Sequence, residues 1–171
     1  MNRLQTLKRA LMSVSVGIKN LLSRNWQDYI YFKNVTVEKM TNGAKGTVTS
    51  LTGGYNTYMH FLIFENPQWG KTYTLTCNVE ESMAGMDNAM RVGYWRSTVT
   101  TWKNIKEISI NKGSSVYTVT FTLPAEKPED FREMTDINYG GFRLFFNIQK
   151  TTGLTEYGSI TVTDIFITQD D

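Results

Sequence analysis

Hydrophobic positions along this chain change their period once, near residue 29. Before it, Leu4, Leu7, Leu11, Val14, Ile18 and Leu21 recur at alternating steps of three and four. That spacing aligns an apolar seam along one side of a helix, with Leu4, Leu11 and Ile18 at heptad position a and Leu7, Val14 and Leu21 at d. After it, the pattern turns to short alternating runs rich in Thr, Val, Ile and aromatics, which is the signature of half-buried strands. The expected organisation is an amino-terminal amphipathic α-helix over residues 1–25 and a β-domain over residues 26–171.

The strand pattern predicts Tyr29–Val37, Lys45–Leu51, Tyr58–Phe64, Thr72–Glu80, Ala89–Trp95, Lys106–Ile110, Ser115–Leu123, Gly141–Ile148 and Ser159–Thr168. Turn chemistry separates them at Asn42-Gly43, Gly53-Gly54, Asn66-Pro67, Lys112-Gly113, Pro124 to Pro128, Gly140-Gly141 and Gly153. Tyr73, Leu75, Cys77 and Val79 alternate with Thr72, Thr74, Thr76 and Asn78, and Tyr117, Val119, Phe121 and Leu123 alternate with Val116, Thr118, Thr120 and Thr122. One wet and one buried face per strand points to an all-β, antiparallel β-sandwich of the jelly-roll kind. The connection from Ala125 to Tyr139 would cross between the sheets or cover one end.

Charge divides along the same boundary. Residues 1–25 carry Arg3, Lys8, Arg9, Lys19 and Arg24 and no acid, which leaves 13 basic and 16 acidic side chains, a balance of −3, on the remainder. A mildly acidic domain argues against a nucleic-acid partner. The helix is under three heptads long, and Gly17 weakens it by ~1 kcal/mol relative to Ala, so it needs a packing surface. Self-association into a homo-oligomer, with a trimer among the options, docking on an acidic protein and packing on its own domain are the candidate surfaces; no Trp or Phe lies between Met1 and Asn25 to sit in a lipid interface, so no membrane partner is expected. The apolar stretch Ala10–Ile18 is interrupted by Ser13, Ser15 and Gly17, so neither a signal peptide nor a membrane span of roughly 18 apolar residues is expected. Cys77, the single cysteine, falls in phase with buried positions, so a structural thiol is expected.

Period-two arithmetic also offers a ligand surface. In Gly141–Ile148 the core set is Phe142, Leu144, Phe146 and Ile148, leaving Arg143, Phe145 and Asn147 opposite. In Ala89–Trp95 the core set is Met90, Val92 and Tyr94, leaving Arg91 and Trp95 opposite. If those strands are neighbours, the five share a groove, with Trp102 from the Ser97–Asn104 loop and Trp69 beside Pro67 as further platforms. A flat aromatic stacks on a pyranose while Arg and Asn bond its hydroxyls. The same residues also suit a core plug or a protein interface.

Catalytic patterns are missing. His60 is the single histidine, set in an apolar strand, so no Ser-His-Asp pairing or His-rich metal spacing can be assembled. Acids occur as adjacent pairs, Glu80-Glu81, Glu129-Asp130 and Asp170-Asp171, where a glycosidase needs two facing carboxylates. Asp87-Asn88 and Asp136 are oxygen donors that a structural calcium could use, though solvated loop acids are the plainer reading. No enzyme, no cofactor and no resident metal are expected.

Four segments in order carry a resemblance: Gly70-Lys71-Thr72-Tyr73-Thr74-Leu75-Thr76, Tyr117-Thr118-Val119-Thr120-Phe121-Thr122, Phe142-Arg143-Leu144-Phe145-Phe146-Asn147 and Ser159-Ile160-Thr161-Val162-Thr163-Asp164-Ile165. Together they resemble the carbohydrate-binding-module-like jelly rolls of bacteriophage tail, fibre and other virion proteins, over residues 45–168. The resemblance implies a virion structural component with other virion proteins as partners, attached by its amino-terminal helix and presenting a head able to bind host-surface glycan. The alternative is a free glycan-binding protein.

Overall fold

The structure, a computed structural model, describes residues 20–50, 57–82, 87–98, 101–149 and 157–170. After a short 3-10 turn, Trp26–Tyr29, the chain forms β1 (Tyr31–Lys33), β2 (Val35–Met40), β3 (Gly43–Val48), β4 (Tyr58–Phe64), β5 (Thr72–Glu81), β6 (Asp87–Trp95), β7 (Trp102–Ile110), β8 (Gly113–Thr122), β9 (Phe142–Gln149) and β10 (Ser159–Asp170). A front sheet has the order β1-β4-β9-β6-β7 and a back sheet the order β2-β3-β10-β5-β8. Every pairing is antiparallel. Consecutive strands change sheet except at the β2–β3 and β6–β7 pairs, so each sheet is assembled from distant parts of the chain.

The alternation written in the sequence sets which side chains meet between the sheets. From the front sheet come Met59, Phe61, Met90, Val92, Phe142, Leu144 and Phe146; from the back sheet come Ala44, Leu75, Cys77, Val79, Val162 and Ile167, all buried. Trp26 closes one side, its ring centroid 4.6 Å from that of Phe61. Cys77 is buried against Met90, sulfur to sulfur 3.7 Å, and burial pushes its thiol up to about 12. On the outer face of the back sheet, the Thr hydroxyls bond across β5 and β8: Thr72 with Thr122 at 2.8 Å and Thr74 with Thr120 at 3.0 Å.

Two strand expectations change. The run Tyr29–Val37 is two strands in different sheets, because Asn34 adopts φ 56° and turns the chain from front to back. Asn tolerates that left-handed conformation better than most residues. β7 starts at Trp102, four residues before the expected Lys106, so Trp102 is a strand residue and not a loop residue.

The amino-terminal helix is also revised where it can be seen. Leu4, Leu7, Leu11, Val14 and Ile18 lie outside the described residues. The described end, residues 20–25, is not helical, and Leu21 and Leu22 pack, half-buried, against the domain core. Asn20 holds this segment beside β10: its Nδ2 donates to the Ile165 carbonyl at 3.1 Å, and its Oδ1 accepts from the Ile167 N–H at 3.0 Å. The Leu21 N–H donates to the Ile167 carbonyl at 2.9 Å. No helix among the described residues is long and apolar enough to cross a membrane.

Replacing Asn20 by Ala should therefore lower the stability of the whole domain by ~1–2 kcal/mol in urea unfolding, because it strips partners from backbone groups of β10. Leu21→Asp should lower it further. A domain indifferent to both changes would mean that this segment is not part of the folded unit.

Candidate functional site

The outward face of the front sheet is where chemistry-bearing side chains gather. Alternation turns Tyr58, His60 and Leu62 of β4 away from the core, with Arg143, Phe145 and Asn147 of β9 and Arg91 and Trp95 of β6 beside them in register: His60 opposite Phe145, and Phe145 opposite Arg91. A groove of about 650 Å³ runs over this face, lined by Lys33, Tyr58, Arg91, Trp95, Thr101, Trp102, Asn104, Glu107, Tyr139 and Phe145.

Its floor is a layer of rings. Tyr58 and Phe145 stack at 5.2 Å, and Trp95 stands edge-on to Phe145 at 6.0 Å. These three are buried, 7%, 3% and 8% exposed, so they form the base and offer little ring surface of their own. Trp102 rises above them, 4.9 Å from Phe145 and half-buried. Its indole N–H donates to Asn104 Oδ1, Asn104 Nδ2 donates to Glu107 Oε2 at 2.7 Å, and Arg91 clamps Glu107 through Nε at 2.7 Å and Nη2 at 3.4 Å. The Arg91 bond, with its charge and Asn104 adding to it, holds the Glu107 carboxyl below the ordinary Glu range. This chain of bonds restrains the Trp102 ring at the groove wall.

A bulge makes the arrangement possible. Gly93 pairs with Asn104 and Val92 with Lys106, so Ile105 is an extra residue and the phase of β7 slips there. Asn104 and Glu107, three apart, consequently share the groove side. Gly93 is required at the crossing: a Cβ there would sit 2.0 Å from the Lys103 carbonyl oxygen and 3.0 Å from Trp102.

The other end of the face is covered by the segment between β8 and β9. Arg143, fully buried, donates from Nε to the Gly140 carbonyl at 2.7 Å, from Nη2 to Ile137 at 2.9 Å and from Nη1 to Tyr29 at 2.9 Å. Burial lowers its pKa to about 10, and Asp136 offsets part of that, so it stays charged at neutral pH. Arg143 Nη1 also lies 3.3 Å from His60 Nδ1. A guanidinium only donates, so Nδ1 accepts and the imidazole proton is assigned to Nε2. Burial, then the Arg143 charge, lowers His60 well below its usual range. Tyr139 crosses the boundary, 5.2 Å from Trp95 and 4.8 Å from Tyr31. Burial and the phenols of Tyr31 and Tyr58 raise its own pKa.

Of the residues expected at a ligand surface, Arg91, Trp95, Trp102 and Phe145 line the groove, while Arg143 and Asn147 do not. Arg143 is consumed by backbone carbonyls, and Asn147 is fully buried with neither amide atom partnered. Trp69 is elsewhere, edge-on to Phe131 at 5.0 Å. Asp136 accepts from Arg132 at 2.8 Å and from the Asn138 and Tyr139 N–H groups, a loop-capping role instead of a cation site. Asp87 and Asn88 have no described side chains; among the described residues no three His, Cys, Asp or Glu side chains could hold a metal. Sequence reading missed Lys33, Tyr58, Thr101, Asn104, Glu107 and Tyr139. Tyr58 was within reach of alternation, being in phase with His60; Asn104 and Glu107 were hidden by the bulge, and Tyr139 by its loop.

The chain matches no family model and no curated protein. Solved structures share its fold. A CBM4 domain superposes with a TM-score of 0.58 at 14% identity, covering 84% of this chain and 96% of that one. The amino-terminal cellulose-binding domain of Cellulomonas fimi β-1,4-glucanase C gives 0.57 at 14% identity, over 83% of this chain and 89% of that one. The enzymatically active domain of bacteriophage CBA120 tailspike protein 4 gives 0.53 at 11% identity, over 88% of this chain but 21% of that one. At these identities the shared property is the two-sheet β-sandwich.

His60 gives the site a pH signature. Its folded pKa is depressed, so below about pH 6.5 the unfolded chain takes up a proton that the folded one does not. Stability should fall as pH drops from 6.5 towards 5, by at most about 1.4 kcal/mol per pH unit. In His60→Gln, which keeps an acceptor for Arg143, that part of the slope should vanish. Melting curves at pH 7.5, 6.5, 5.5 and 5.0 read it directly, and equal slopes for both proteins would refute the assignment.

Proposed function

We propose that this domain is a non-catalytic glycan-binding module whose front-sheet groove takes a short stretch of a saccharide chain. One observation carries the reading: a half-exposed Trp102, held in place by Asn104, Glu107 and Arg91, beside a ring-lined floor. Sugars present an apolar ring face and pairs of hydroxyls, and this groove offers a flat aromatic next to planar polar groups with both donors and acceptors. Among the described residues lining it, Glu107 is the sole carboxylate, and it is already engaged by Arg91 and Asn104. Hydrolysis of a glycosidic bond uses two carboxyl groups, so the lining favours binding over turnover. The sandwich shared with carbohydrate-binding modules supports this by analogy of fold.

A place on a phage particle is a second reading, carried by the order of the four strand motifs. It gives the same groove an address, with other virion proteins as partners and host-surface glycan as the ligand, and it leaves the binding chemistry unchanged.

The test is binding of the full-length chain to a glycan array and a panel of soluble polysaccharides, by affinity electrophoresis and then calorimetry. Trp102→Ala should weaken the best ligand about tenfold or more, since a lost stacking contact is worth on the order of 1.4 kcal/mol, while the melting temperature stays close to wild type. Binding to no saccharide, or a Trp102→Ala protein that binds like wild type, would remove the proposal.

A further inference from the structure

Among the described residues two sheets leave four edges, and three of them are defended. β1 is three residues long and ends in Lys33; β2 is six residues long and carries Glu38 and Lys39; β7 carries Lys103, Lys106 and Glu107. Short edges and charges are how sandwiches avoid pairing with one another. β8, the outer strand of the back sheet, has neither protection among the described residues. Its ten residues, Gly113–Thr122, hold no charge and no proline. Its outward positions are exposed, and among them Val116 is 52% exposed.

We propose that β8 is a self-association edge, which pairs antiparallel with β8 of a second copy and joins the two back sheets into one. The occupant is a second copy because the strand complements itself. Antiparallel pairing about a two-fold axis brings like positions together, with no charge to repel. A register centred on Thr118 sets Val116 against Thr120 of the second copy, a β-branched pair that covers the exposed valine. Cross-strand Thr bonding of this kind already joins β8 to β5 at Thr118 with Thr76, Thr120 with Thr74 and Thr122 with Thr72. One strand edge buries little surface, below the ~1,200 Å² of stable complexes, so the dimer is weak and concentration-dependent.

The geometry has a consequence for ligand binding. The two-fold axis stands perpendicular to the joined sheet, so both front sheets lie on one side of it and both grooves open the same way. Two weak sites facing one glycan-bearing surface act together through effective concentration. That consequence rests on the glycan reading; the dimer does not.

The experiment is light scattering and sedimentation of the full-length chain from low micromolar to several hundred micromolar, beside Val116→Lys and Leu11→Asp. A monomer–dimer equilibrium that Val116→Lys abolishes, with an unchanged melting temperature and Leu11→Asp still dimerising, is the expected result. A monomer throughout, a trimer or larger closed assembly, or a dimer that survives Val116→Lys but is lost in Leu11→Asp would each overturn the proposal. Should Val116→Lys melt early, hydrogen exchange on the wild-type chain decides. Protection of β8 amides that rises with concentration supports pairing between copies, and protection independent of concentration overturns it. Failure of glycan binding leaves these masses as they are, so the two proposals fail separately.

Discussion

The buried guanidinium of Arg143 is the interaction on which the functional face depends. It joins three stretches far apart in sequence: the 3-10 turn through Tyr29, the covering segment through Ile137 and Gly140, and β4 through His60. A cation so placed is tolerable only when acceptors surround it, and breaking such a network typically costs about 3–5 kcal/mol. Because Arg143 and its acceptors draw the loop down, Tyr139 reaches Trp95 and Tyr31, and the groove acquires its closed side. The residue that the alternating pattern placed on the ligand surface is therefore the peg that shapes one side of the groove.

The open side of the groove is built differently, by a backbone irregularity. The extra residue at Ile105 shifts the phase of β7, and Gly93 lets β7 and Trp102 approach the neighbouring strand closely. Three polar side chains then run in series to the Trp102 indole, so its ring is restrained before any ligand arrives. Pre-orientation of this kind lowers the ordering cost of binding. Buried rings form the base, while the half-buried Trp102 ring and the polar rim form the accessible surface of the groove.

The back sheet contrasts with the front. Its outer face carries threonines paired across β5 and β8, a surface of bonded hydroxyls with few features for selective recognition. Its distinguishing feature is its edge. The groove proposed for ligand and the edge proposed for a second copy thus sit on opposite sheets, and one can change without the other.

Most strand positions, the alternation of Tyr73 to Val79 and of Phe142 to Asn147, and the sandwich class were legible in the chain, because side chains of a strand point to opposite faces with a period of two whatever the neighbours are. The same rule put Arg91, Trp95, Arg143, Phe145 and Asn147 on one face before any strand order was known, and β6 and β9 are indeed adjacent. It did not show that Asn34 divides one run between two sheets, that β7 begins at Trp102, or that Asn20 and Leu21 bond to β10. Nor could it separate Arg143 under a loop from Arg91 at a rim, since both have the same phase. A local period reports direction, while burial and access depend on which distant segment lies on top. That was decided by the loop from Ala125 to Tyr139, the Ile105 bulge and the packing of the two sheets.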